Sequence, residues 1–221
     1  MRQRLFRGAV GTFGQTEEVI DPHFIFLAVV LSIVGSVSYV RDTLRGTTMP
    51  HRVTWGLWAL EGILAFAVEV QQRVGLASLM TLALGLTPMV VLAASFINPG
   101  GMWKIDRIDI VCCAVSLAGL GFWAVIHQPT AALVAFVTAD FIAALPTLRK
   151  SWHSPTSETP RAFVLGAVNT GITLLTLKRL TTAGALFPGV IMLTDLLLSV
   201  VILTHWGPRL ADRRIRRVTL G

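Results

Sequence analysis

Charge is the first thing this chain lacks. Asp, Glu, Lys and Arg make up 14% of its 221 residues, against 53% hydrophobic residues. A soluble domain carries about 25% charged residues, so a soluble fold is excluded. Cysteine is scarce too, with only Cys112 and Cys113, adjacent in an apolar stretch. Neighbouring cysteines are poorly placed to bridge each other and lack metal-ligand spacing. They read as small apolar residues, and neither a metal site nor a cofactor is expected. The chain has no HExxH, no clustered histidines and no Ser-His or Cys-His arrangement that stands out. These absences argue against an enzyme. The net charge of +7 is not a nucleic-acid footprint, because most basic residues lie in loops and at the C-terminus, where membrane orientation accounts for them.

What the chain does have is length without charge. Several runs of about twenty apolar residues match a ~30 Å hydrocarbon core. Seven spans are predicted: Pro22 to Val40, Val53 to Glu69, Gly75 to Ile97, Ile108 to Ile126, Pro129 to Leu148, Ala162 to Leu177 and Ala183 to His205. Long apolar runs without alternation must satisfy their backbone internally, so the spans are helices. The expected class is an all-α protein of the cell (inner) membrane, with the lipid bilayer as its constant partner. Residues 1–21 carry Arg2, Arg4 and Arg7 but no apolar run before Glu17 and Glu18, so a cleaved signal peptide is not expected.

The chain also repeats itself. Thr43-Leu44-Arg45 returns as Thr147-Leu148-Arg149, and Pro50 returns as Pro155. Gly85-Leu86-Thr87-Pro88-Met89-Val90-Val91 is echoed by Ala185-Leu186-Phe187-Pro188-Gly189-Val190-Ile191. Three matches in one order at nearly one offset predict an internal duplication. Residues 22–97 form the first three-helix unit, 98–128 the linker with span 4, and 129–205 the second unit. The basic tail is 206–221. An odd number of helices per unit requires a fourth helix between them to keep both units parallel, a 3+1+3 layout.

Lysine and arginine set the orientation. The 1–2, 3–4 and 5–6 loops and the C-terminus hold thirteen; the opposite side holds six. The bias places the C-terminus in the cytoplasm and the N-terminus outside. Both Thr-Leu-Arg segments then fall on the cytoplasmic side.

Three acids and one amide lie deep in spans: Glu61, Asp140 and Asp195, with Asn169. Each acid costs about 2.5–3.5 kcal/mol at a helix centre, and no Lys, Arg or His occupies a span interior. The acids must be protonated, accept hydrogen bonds, or meet a proton, cation or polar ligand that comes and goes. Span 6, with Asn169, Thr170, Thr173 and Thr176, is expected to rely on neighbouring helices rather than lipid. Trp55, Trp58 and Glu61 share a stripe at i, i+3 spacing; Trp55 reads as an interfacial anchor, and Trp58, one turn deeper, as a stacking surface. Pro88, Pro146 and Pro188 interrupt their helices and are candidate hinges. The acids are not duplicated: Glu61 aligns with Gly166, Asp140 with Ser36 and Asp195 with Ser95.

The 3+1+3 layout, N-out orientation, prolines in repeated spans and position of Asn169 resemble the SWEET, PQ-loop and PnuC-like transporter superfamily. The stretches YVRDTLRGTTMPHRVTWGLWALEG and ADFIAALPTLRKSWHSPTSETP are similar to a group of bacterial membrane proteins without assigned function. In PQ-loop proteins a Pro-Gln pair is expected near the inner ends of spans 1 and 5; here those places hold Asp42-Thr43 and Pro146-Thr147. The resemblance implies a small-solute transporter working by alternating access. The deep polar residues and the tryptophan stripe supply the expected site lining, Trp58, Glu61, Asp140, Asn169 and Asp195, whose acids favour neutral, zwitterionic or cationic solutes over anions. Proton coupling and homo-oligomerisation stay open. The alternatives are a membrane sensor or assembly partner, and, less favoured, an intramembrane enzyme.

Overall fold

The computed structural model describes residues 20–21, 23–71, 78–97, 104–126, 128–177 and 182–219. Among these there are eight α-helices, one short 3-10 turn and no strand. The helices are α1 (Phe24–Leu44), α2 (Arg52–Gln71), α3 (Ser78–Ile97), α4 (Arg107–Val125), α5 (Pro129–His153), α6 (Pro160–Leu175), α7 (Thr182–Thr204) and α8 (Trp206–Thr219).

Local chemistry sets their ends. Asp106 caps α4: its carboxylate accepts from the amides of Ile108 and Asp109, while Asp109 accepts from the Asp106 amide. Gln128 caps α5 ahead of Pro129, and Pro160 opens α6, both prolines using the position where the missing N–H is harmless. Gly46, at φ 77°, takes the chain out of α1. His205, at φ 51°, separates α7 from α8. The tail predicted as 206–221 is thus helical over Trp206–Thr219.

Among the described residues, four stretches are long and apolar enough to cross a membrane: Phe26–Leu44, Arg107–Val125, Thr130–His153 and Ala185–Thr204. Gly85–Ile97 is a shorter apolar stretch. With 16 residues, α6 falls short of the twenty or so needed to span unaided. The burial pattern is that of a chain solvated by lipid. Large apolar side chains such as Phe26, Val37, Ile110, Val125 and Leu203 face outward, while Thr43, Thr54, Ser95, Ser116 and Thr147 are buried. The protein is therefore an α-helical membrane protein.

The helices associate in a definite order. α3 packs on both α1 and α2, α7 packs on both α5 and α6, α1 meets α6, α2 meets α5, and α4 runs along α5. Small residues allow close approach. A Cβ on Gly85 would stand 2.8 Å from the Gly62 carbonyl carbon and the Ile63 amide nitrogen. On α4, Ser116 donates to the Ala139 carbonyl of α5 at 3.0 Å.

One end of the bundle gathers the α1–α2 and α5–α6 connections, the start of α4 and α8. The Met49 amide donates to the Ser157 carbonyl at 2.9 Å, and the Thr48 and Thr159 hydroxyls meet at 2.5 Å. Trp206 lies 6.5 Å from Trp152 between ring centres. Next to this loop end, Tyr39, Trp55, Val91, Phe163, Leu198 and Ile202 form the core. Trp55 was expected at the membrane interface; it is instead buried, its ring 4.6 Å from that of Tyr39.

Candidate functional site

Above that core, away from the loop end, lies a cavity of about 620 Å³. Helix periodicity delivers its lining. On α2, Trp58, Glu61 and Ala65 recur at three- and four-residue steps and face inward together. On α5, Ala132, Phe136 and Asp140 do the same, as do Phe187, Ile191 and Asp195 on α7. Pro88 of α3 and Trp123 of α4 complete the wall.

Three carboxyl groups from three helices thus meet one space. Glu61 is 3% exposed and Asp140 is 7% exposed. No N–H or hydroxyl donor reaches either Glu61 oxygen. Its carboxyl shares the cavity with that of Asp140. Asp195 faces the same cavity from α7. Its own carboxyl occupies the notch left by Gly166 on α6, where a Cβ would collide with Oδ2. Among the described residues, no Lys, Arg or His lines the cavity.

The rest of the wall is aromatic. Phe136 stands 5.4 Å from Trp123 and 5.3 Å from Phe187, centre to centre. Trp58 stacks edge-on against Trp55 at 5.3 Å, and its indole N–H is buried without an acceptor. The arrangement offers π faces, one spare donor and three carboxyls. Such a surface suits a small polar solute without net negative charge.

Of the five residues expected to line a solute site, Trp58, Glu61, Asp140 and Asp195 line this cavity. Asn169 does not. It lies on α6 one turn beyond Gly166, half-buried, and its carbonyl accepts from the Thr173 hydroxyl at 3.0 Å. The polar character of α6 has a local explanation. Thr170, Thr173 and Thr176 each donate to a carbonyl of α6 itself, and α6 is flanked by α1 and α7, in line with its expected reliance on neighbouring helices. Of the candidate hinges, Pro88 lines the cavity. Pro188 follows the lining residue Phe187 without lining the cavity itself, and Pro146 is fully buried nearer the loop end.

A second polar assembly at the loop end was not anticipated. The side chains of Lys150 and Glu158 are fully buried, with Nζ 2.5 Å from Oε1. The Tyr39 hydroxyl donates to Glu158 Oε2 at 2.5 Å, and Lys150 also donates to the Met49 carbonyl. His51 Nε2 lies 3.3 Å from Asp109 Oδ2, both buried. Burial lowers the His51 pKa, outweighing the opposing pull of Asp109. At the surface nearby, Arg149 pairs with Asp106 and holds that carboxyl below its ordinary range. The Arg52 guanidinium bonds to the Ser95 hydroxyl at 3.1 Å and to the Ser95 carbonyl at 2.6 Å. In sequence, Lys150 and Arg149 look like ordinary loop charges, and Glu158 sits 119 residues from Tyr39; no local pattern links them.

Comparison with known proteins gives no match: no family model fits the chain, and no curated protein or solved structure is similar to it.

Proposed function

We propose that this protein is a small-solute transporter or facilitator of the cell (inner) membrane, with the three-carboxyl cavity as its binding site. The observation that carries the reading is the convergence of Glu61, Asp140 and Asp195, from α2, α5 and α7, on one aromatic-walled space that holds no fixed cation among the described residues. Intramembrane carboxyls are expensive and mark solute or proton paths. The lining favours neutral, zwitterionic or cationic solutes over anions. The cavity fills the half of the bundle away from the loop end, and the Tyr39–Trp55–Phe163 core with the Lys150–Glu158 pair fills the other half. A cavity backed by a packed plug is what one state of an alternating-access carrier requires.

The packing order supports a 3+1+3 duplication of seven spans. In each set of three helices the third lies against the other two, and the cross-contacts α1–α6 and α2–α5 exchange under the repeat. On this reading the loop end is cytoplasmic, the N-terminus is outside, and the chain is a distant member of the SWEET, PQ-loop and PnuC-like superfamily, with transport as its activity rather than catalysis.

The test is a melting screen of the purified protein against small polar metabolites, repeated with Asp195→Asn, followed by flux of any hit into liposomes. A ligand whose stabilisation disappears in the variant and which crosses the bilayer supports the proposal. No stabilising ligand and no flux across a broad panel of neutral, zwitterionic and cationic solutes removes it.

A further inference from the structure

A second recess lies on the outside of the bundle, between α1 and α3. It measures about 570 Å³ and is lined by apolar side chains, among them Ile33, Val37, Leu44 and Val90, with Arg41 and Arg45 at its loop-end margin. Val37 is 61% exposed and Leu44 is 50% exposed, so the groove faces the bilayer. Arg41 and Arg45 are four residues apart at the end of α1 and therefore share a face.

Their charge is unanswered. Arg52 is engaged by Ser95, Arg149 by Asp106 and Lys150 by Glu158. Among the described residues, the guanidinium groups of Arg41 and Arg45 have no hydrogen bond or ion pair. The contrast with Arg149 is direct, since Arg45 and Arg149 each close a Thr-Leu-Arg triplet. A general excess of basic residues at one end of a membrane protein explains arginines in loops. It does not explain two of them on one face at the mouth of an apolar groove.

We propose that this groove is a binding site for an anionic phospholipid of the leaflet that meets the loop end. An acyl chain lies along Ile33, Val37, Leu44 and Val90, and the headgroup phosphate is held by Arg41 and Arg45. Paired guanidinium groups match phosphate oxygens in geometry and charge, and basic recesses between membrane helices select acidic lipid headgroups. A second copy of the chain is the poorer occupant by charge. At the loop end, Asp42, Asp106, Asp109 and Glu158 are each already held, by Thr159, Arg149, His51 and Lys150. Among the described residues Asp212 is the exposed carboxylate left there.

Native mass spectrometry of the full chain in detergent tests this. Dioleoyl-phosphatidylglycerol, dioleoyl-phosphatidylcholine and inorganic phosphate are titrated separately. The expected result is preferential retention of one phosphatidylglycerol, by roughly ten-fold over phosphatidylcholine, falling to the phosphatidylcholine level in R41Q/R45Q. A second variant, V37W, fills the groove with both charges intact and is expected to weaken phosphatidylglycerol retention as well. Equal retention of the two lipids, or a preference that survives R41Q/R45Q, overturns the proposal. Displacement of phosphatidylglycerol by equimolar inorganic phosphate overturns it in favour of a free-anion site. Loss of a dimer in R41Q/R45Q with lipid retention unchanged overturns it in favour of a second copy.

Discussion

Glu61 on α2 and Asp140 on α5 are buried against one cavity, at the contact where those two helices meet. Two carboxyl groups buried together, with no cation among the described residues beside them, call for a proton, a cation or a polar ligand in that space. A solute that brings positive charge into the cavity competes with a proton for that place. Glu61→Gln keeps the size and shape of the side chain but cannot carry the proton of a carboxyl. We expect it to keep its fold and to lose any dependence of solute flux on a pH gradient. Flux in Glu61→Gln liposomes that still follows the gradient as the parent does would remove Glu61 from the coupling path.

Gly166 and Asp195 make a tighter test. The α6 backbone leaves a notch that the Asp195 carboxyl fills. Gly166→Ala pushes the carboxyl toward the cavity or forces α6 and α7 apart. Overpacking of this kind costs about 1–3 kcal/mol. The variant is expected to melt earlier and to bind ligand at least several-fold more weakly, read by thermal shift. Unchanged melting and unchanged ligand response would show that the notch is not needed.

The Lys150–Glu158 pair is sealed from solvent. Removing one partner strands a buried charge, at a cost of about 3–5 kcal/mol. Lys150→Met is therefore expected to melt well below the parent. Glu158→Gln in the same chain removes the stranded charge and is expected to recover part of the loss. A double variant no more stable than Lys150→Met would argue against direct coupling of the two side chains.

His51 gives a pH signature with a definite sign. Burial lowers its pKa in the folded protein, below the unfolded value of about 6.5. Between those two values the unfolded chain binds more protons than the folded one, so stability rises with pH there and falls as the solution is acidified. Asp106 acts in the same direction lower down, because Arg149 depresses its pKa and that contribution fades on acidification below about 4. Melting is expected to fall as the pH drops below about 6.5, and His51→Gln to flatten that slope. A slope identical in the variant would assign the effect to other groups.

Much of the cavity could be read from spacing alone. Trp58 and Glu61 at i, i+3 share a helix face wherever that helix is placed, and a carboxyl within an apolar span has to face inward. Asp140 and Asp195 follow the same logic. Asn169 broke the pattern because α6 turns Gly166, not Asn169, toward the acid on α7; which residue of a polar helix faces inward depends on its neighbours. Trp55 misled for a related reason, since an aromatic near a span end can anchor in the interface or pack on a facing helix, and Tyr39 decided the matter. The loop-end network was invisible because each pair joins distant segments. Tyr39, Lys150 and Glu158 come from one helix end, another helix end and a connecting segment, which only the packing of α1, α5 and α6 brings together.

Gly85 seated on Gly62 has a mechanical consequence. At that level the two backbones touch, with no side chains between them to change rotamer or slide. A seam without adjustable parts transmits force instead of absorbing it, so α2 and α3 travel as one strut. Displacement of Pro88 is then a displacement of Glu61, and any rearrangement of the bundle is pushed to joints made of longer side chains. The α2–α5 contact, where Glu61 and Asp140 face one cavity, is such a joint.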